Sequence, residues 1–430
     1  MDIAVPHRIF HGWRVVAVCF IAAVFAWGLG VFGASVYLNE VTRIHGWSVS
    51  LVSAAVTVFY LTGALSPTIT AGLIGRLGPR PVFVAGALAL GLGTAAVGRI
   101  ATPAQLIAAF VLLGVGYACL SVTGISTTLA PWFERHQGRG VAIALMGASV
   151  GAMLIVPALL MATAWFGFAS ATLAGGVLAV AVLVPLALVV LRYRQPREIG
   201  LAPDGAPGIT QNTGEGLGSL GPVRKPAWTR AMAMRTSAFW SVAIGFALGL
   251  LVQVGFFTHQ VMLAKPILGV AGAGWLVSGT GFANLLGRLV LARVADHVRL
   301  RPYTAAVLGT QAIMLGLIAV MPTMPVLIGA SLIYGFCLGQ ITTLSPIIVR
   351  REFGAAAFGT VYGAAATLIQ LTSAFGPGLY GTLHDGFDGY GPVLAIAAGL
   401  ELTALIVILA GRAPAVAEQV RMEQGGALRR

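Results

Sequence analysis

Apolar stretches of about 20 residues, the length an α-helix needs to cross a ~30 Å hydrocarbon core, recur from one end of this chain to the other. Lipid offers backbone N–H and C=O groups no partners, so each stretch must satisfy its own, as a helix does. Charge agrees with this reading. Only 9% of the 430 residues are Asp, Glu, Lys or Arg, against about a quarter in a soluble domain. A water-facing globule cannot be covered with so little, and the expected fold is an all-α membrane protein with twelve transmembrane helices.

Hydropathy places six helices at 15–38, 50–74, 81–100, 104–130, 139–164 and 168–191, and six more at 237–263, 273–295, 303–321, 325–349, 357–381 and 390–411. The implied organisation is a bundle over 1–191, a Pro-, Gly- and charge-rich cytoplasmic linker over 192–236, a bundle over 237–411, and a cytoplasmic tail over 412–430. Basic residues test the layout, because short cytoplasmic loops collect Lys and Arg. Of the 26, 22 fall in the termini or in loops after even-numbered helices, and only Arg43, Arg99 and Lys265 fall in loops on the other side. Both termini are therefore expected in the cytoplasm and the helix number even. The first apolar stretch lacks a small-residue cleavage pattern and reads as a retained helix. The absence of Asn-x-Ser/Thr favours a bacterial source, hence an inner-membrane location.

The net charge of +13 does not imply nucleic acid, since the basic residues form no patch with interleaved aromatics. Cys19, Cys119 and Cys337 lie far apart in apolar stretches, which reads as core thiols rather than a disulfide framework or metal site. No phosphate-binding Gly-x-x-x-x-Gly-Lys-Ser/Thr loop and no metal pair at helix spacing occur, so ATP-driven transport and membrane metalloprotease chemistry lack their parts. Neither an enzyme nor a cofactor is expected.

The turn after the second helix reads Gly72-Leu-Ile-Gly75-Arg76-Leu-Gly78-Pro79-Arg80, and the one after the eighth Ala292-Arg293-Val-Ala-Asp296-His297-Val-Arg299. Two tight basic turns in corresponding places mark a duplicated six-helix unit, and two halves imply a cleft between them. These turns resemble the major facilitator loop signature, Gly-x-x-x-Asp-Arg-x-Gly-Arg, in an imperfect match that takes in Gly72, Arg76, Gly78, Arg80 and Asp296. The resemblance implies two pseudo-symmetric six-helix bundles working by alternating access. The first copy has Gly75 where the signature has Asp, and the second has His297 where it has Arg.

Ionisable residues inside membrane helices are costly, so the rare cases carry information about function. Arg288 and Glu401 are the two strong ones. Asn284 precedes Arg288 by one turn on the same helix face. A guanidinium fork beside a neutral amide suits a carboxylate, and the rival reading is an arginine that snorkels to the interface. Glu401 lies in a helix expected at the periphery and reads as a packing or interface residue.

This eighth-helix segment is similar to that of the monocarboxylate transporter group, which includes the oxalate/formate antiporter type. The start Phe10-His11-Gly12-Trp13-Arg14, the run from Pro131-Trp132-Phe133 to Arg139-Gly140 with Gly147, Gly151 and Pro157, and Pro203-Asp204-Gly205 in the linker resemble the same group. The resemblance implies that Arg288 binds the substrate carboxylate, and that Tyr117, Tyr334 and Gln370 line the site with Asn284. His259 is the candidate for proton coupling. Animal members carry Asp where Asn284 stands, and an amide cannot titrate, so their proton route does not transfer. One cavity cation pairs with one carboxylate. The expected function is proton symport or anion exchange of a monocarboxylate, by a monomer in lipid. A dicarboxylate or oxalate antiporter, a drug efflux carrier and a non-transporting carrier-fold sensor stand as alternatives.

Overall fold

A computed structural model of the chain describes residues 10–65, 67–134, 136–205, 228–354 and 357–412. The middle of the expected linker, 206–227, and the expected tail beyond 412 lie outside the described residues, as does Ser66 of the expected Ser66-Pro67 break.

Helices joined end to end group into twelve rods. The first six are α1 (His11–His45), α2 (Val49–Leu65 and Pro67–Leu77), α3 (Pro79–Val97), α4 (Pro103–Leu129), α5 (Gln137–Phe166) and α6 (Phe168–Val190). A single helical run, Ser237–Val294, holds two: α7 (residues 237–268) and α8 (residues 270–294), separated where Gly269 leaves helical geometry at φ 71° and ψ −178°. The last four are α9 (Leu300–Val320), α10 (Met324–Phe353), α11 (Phe358–Ala374 and Gly376–Phe387) and α12 (Tyr390–Ala410). Nine of the described helices are individually long and apolar enough to cross a membrane. The Gly269 break divides the longest of them into α7 and α8, the two halves of α2 pass together as a broken span, and α11 completes the twelve rods.

Local chemistry sets the ends. Thr102 accepts from the Gln105 amide at the start of α4, and Thr236 from that of Phe239 at the start of α7, each satisfying a donor left open at a helix N-terminus. Pro79 and Pro103 open α3 and α4, where a missing N–H costs nothing. The structure differs from the expectation between α7 and α8: residues 264–272, expected as a loop, are helical except at Gly269, with Pro266 inside the run.

The chain forms two compact units. The first comprises Met1–Trp47, Val58–Asn212 and Val270–Ser278, and the second Ser48–Thr57, Thr213–Gly269 and Gly279–Arg430. Within the first, α5 packs backbone to backbone on α1, since a Cβ on Gly147 would meet the Phe20 carbonyl oxygen at 2.2 Å and one on Gly151 that of Val24 at 2.3 Å. Small residues permit such approaches between membrane helices. Val16, Cys19, Ala23, Phe110 and Leu113 are buried in this unit. The core of the second gathers Phe246, Leu308, Ile341, Leu344, Val361 and Ile408. Large apolar side chains are exposed along the rods, Val189 by 73% and Val320 by 81%, as lipid contact requires and water would not allow.

Candidate functional site

The seam between α8 and α10 carries the site of the second unit. A Cβ on Gly335 would stand 2.7 Å from the Thr280 carbonyl oxygen, one on Gly339 2.0 Å from that of Asn284, and one on Gly287 2.0 Å from that of Phe336. Three glycines thus let the two backbones touch, and the contacts step along α8 at four-residue intervals through Thr280, Asn284 and the Arg288 amide. Asn284 and Arg288 are held on a rigid pair of helices.

Among the described residues, neither side chain has a hydrogen-bond partner there. Asn284 is buried, its Oδ1 without a hydrogen bond, and the buried Arg288 Nε has none either. Among the described residues, no carboxylate forms an ion pair with Arg288. Each unmet polar atom costs about 1–3 kcal/mol. An unpaired guanidinium one turn from an unpaired amide offers donors to a ligand that accepts several hydrogen bonds and carries negative charge.

The other expected site residues of this unit have contacts of their own. Tyr334 is fully buried, with its ring against Phe256 at 4.6 Å between centroids and its hydroxyl 3.5 Å from Glu401 Oε1. In this conformation that hydroxyl serves Glu401, not a ligand. Gln370 is exposed on α11, and no hydrogen bond joins it to Arg288 or Asn284 among the described residues. His259 is buried and fully engaged: Nδ1 lies 2.8 Å from Tyr390 Oη, and Nε2 lies 3.2 Å from the Pro377 carbonyl oxygen and 3.3 Å from Ser53 Oγ. A neutral ring that donates from Nε2 to the carbonyl and accepts the tyrosine proton at Nδ1 satisfies this set. Nearby, the Thr57 hydroxyl accepts from the Gly378 amide and Asp385 accepts from that of Ser50. His259 sits in a polar fastening between Ser48–Thr57 and α11.

In the first unit, Tyr117 packs edge-on against Trp27 at 5.2 Å and tilted against Phe59 at 5.4 Å. Trp27 belongs to a π-helical stretch of α1, Ala26–Phe32, a local widening often found at functional sites. Tyr117 and Tyr334, expected in corresponding places, thus meet different surroundings.

The linear motifs converge. Phe10 and Trp13 meet Phe133 at 5.7 and 5.2 Å, and His11 meets Trp132 at 5.0 Å. The Arg139 guanidinium lies 5.8 Å from the centre of the Trp13 ring. Asp204 accepts from the amides of Glu134 and His136 at 3.1 and 3.3 Å, while its own amide donates to the Trp132 carbonyl. The N-terminal, α4–α5 and linker motifs therefore build one cluster in the first unit.

The loop signature diverges between its copies. Asp296 pairs with Arg351 at 2.8 Å, and Arg351 also donates to the Ala295 carbonyl, tying the end of α8 to that of α10. In the other copy Arg194 donates to the carbonyls of Arg76 and Leu77, capping α2 beside Gly78. Gly72, Arg76 and Arg80 are exposed. Arg194 thus satisfies helix-end carbonyls where the first copy lacks the signature's acid.

Sequence reading missed a second built ion pair. Arg301 grips Glu352 with Nε at 2.7 Å and Nη2 at 2.8 Å, and donates from Nη1 to Ser241 Oγ and to the Ile408 carbonyl. It joins α7, α9, α10 and α12. Among the described residues no group of three or more His, Cys, Asp or Glu is placed to hold a metal, and the three cysteines are buried and free.

Two units of long apolar helices with a guarded guanidinium inside one of them define a polytopic membrane carrier rather than an enzyme. The sequence model of the Major Facilitator Superfamily matches residues 18–377, and the chain belongs to that superfamily. Among curated proteins none matches it. A crystal structure of a variant of the nucleoside transporter NupG superposes with a TM-score of 0.71 at 12% sequence identity, covering 93% of this chain and 99% of that one. At that identity the likeness speaks for the fold. The chain is a secondary transporter.

Proposed function

We propose that this transporter moves a small organic anion, a monocarboxylate above all, and that Arg288 and Asn284 bind its carboxylate. The reading rests on the unpaired state of those two side chains. A half-buried guanidinium with a buried, unmet Nε and no acid beside it is a standing cost, which a negatively charged guest relieves. A neutral substrate such as a nucleoside would leave it uncompensated, so the activity of the NupG neighbour is not carried over. A dianion would bring a second charge, and α11 carries neither Lys nor Arg to meet it. Basic residues in the termini and in the loops after even-numbered helices favour cytoplasmic ends in a cell inner membrane.

Counterflow of labelled lactate and pyruvate in proteoliposomes tests the proposal. Arg288→Ala is expected to abolish it, and Asn284→Ala to weaken binding by about tenfold, the worth of one hydrogen bond to a charged group. Normal flux through Arg288→Ala, or robust oxalate exchange without lactate or pyruvate uptake, overturns the assignment.

A further inference from the structure

We propose that Glu401, with Tyr334, forms a proton-binding site in the second unit, and that its proton is exchanged with the aqueous phases during the transport cycle. The link to transport rests on the preceding reading, whereas the proton site does not. Glu401 is completely buried on α12. Its Oε1 accepts from Tyr334 Oη at 3.5 Å, and Oε2 has no hydrogen-bond partner.

Among the described residues, the packing around the carboxyl supplies no counter-charge. On α7, a Cβ added to Gly249 would stand 3.6 Å from Oε2 and 3.1 Å from Leu308 of α9, so those two rods close over the group with apolar contacts. The titratable groups that face it are Tyr334 and Cys337 on α10 and Tyr380 on α11, all uncharged acids at ordinary pH. No Lys, Arg or His belongs to the set. The Tyr380 hydroxyl is itself buried without a partner. A bare carboxylate in this place would be a buried charge held by one long hydrogen bond, whereas a carboxylic acid leaves no charge to compensate. The group therefore takes up one proton and gives it back only when the packing around it opens.

α10 connects this proton to the anion site. Tyr334 is followed by Gly335, which lies on Thr280, and one turn later by Gly339, which lies on Asn284 and the Arg288 amide. A shift of α10 that admits water to Glu401 must also move the seam that positions Arg288. Both ligands then bias the same helix pair, the condition for coupling.

The experiment has two arms, on purified protein in liposomes. Infrared spectra across a pH titration without any added anion should contain a carboxylic acid C=O band that shifts in D2O, fades at high pH and is absent from Glu401→Gln. Tyr334→Phe should move that band without abolishing it. In the second arm, with lactate as probe, Glu401→Gln should lower accumulation driven by a pH gradient about tenfold more than it lowers counterflow, in the usual span of coupling between sites. A wild-type spectrum without the band overturns the proton site, and Glu401→Gln accumulating lactate as the wild type does overturns its part in the transport cycle. If the wild type moves no lactate, the carboxylate reading fails and the titration alone decides.

Discussion

At the scale of single residues, two arginines of the second unit make opposite predictions. Arg301 is matched on every side by Glu352, Ser241 and the Ile408 carbonyl. Arg301→Gln strands the largely buried Glu352 carboxylate and should destabilise the protein by about 3 kcal/mol, near the lower end for breaking a buried pair. Arg288 has no such partner, so Arg288→Met, which keeps the bulk and removes the charge, should leave the unliganded protein as stable as the wild type or more so while abolishing lactate binding. Thermal melts with and without lactate read both effects, because a ligand stabilises only the form that binds it. A melting temperature for Arg288→Met as low as that of Arg301→Gln would mean that Arg288 is a structural residue. The sequence singles out Arg288 because its charge interrupts an apolar run. It cannot single out Arg301, which sits at a helix start 51 positions from its acid and reads as one orienting loop charge among many. Glu401 is visible as an anomaly, but only folding reveals Tyr334 as its partner.

Between residues and molecule stand the helix pairs, and here one glycine is not like another. A Cβ added to Gly339 would clash with the Asn284 carbonyl oxygen at 2.0 Å, whereas one added to Gly316 on α9 has nothing within 4 Å. Gly339→Ala must push α8 off α10, at about 1–3 kcal/mol for overpacking, and should weaken anion binding by displacing the Arg288 backbone. Gly316→Ala should be neutral or slightly stabilising, since alanine is the better helix former. Gly269 fails by a different route: its surroundings are open, but φ 71° with ψ −178° is a region that L side chains hardly enter. Gly269→Ala should cost about 1–3 kcal/mol through backbone strain alone. Melting temperatures of the three variants, with lactate flux for Gly339→Ala, check these expectations. Hydropathy finds the helices because an apolar run of the right length has one physical solution in lipid. It places the turn between α7 and α8 but draws it too long: Lys265 and Pro266 mark 264–272 as a loop, whereas the break in helical geometry is confined to Gly269. Nor can a glycine count say which glycine touches a neighbour, since that depends on how each helix is rotated in its bundle.

For the whole molecule, the strongest claim drawn from sequence is orientation, and it follows from charge rather than from any contact. Lys and Arg near the ends of membrane helices are retained on the cytoplasmic side, and the alternation of 22 such residues against three holds only if the helices are divided as given above. A missed or added crossing would reverse every later loop. The described rods keep that division. Arg99 lies between α3 and α4, Arg192 directly after α6 and Arg299 between α8 and α9, and all three are exposed. Cysteines placed at these positions should therefore report opposite sides. In intact cells a membrane-impermeant maleimide should modify Arg99→Cys and leave Arg192→Cys and Arg299→Cys unlabelled until the membrane is opened. The native background is favourable, because Cys19, Cys119 and Cys337 are buried thiols. Labelling of Arg192→Cys and Arg299→Cys from outside would invert the orientation and put the inward-facing charges on the wrong side. Labelling of only one of the two would be more damaging. Both follow even-numbered helices, so an odd number of crossings would have to separate them, and the twelve-helix layout itself would fall.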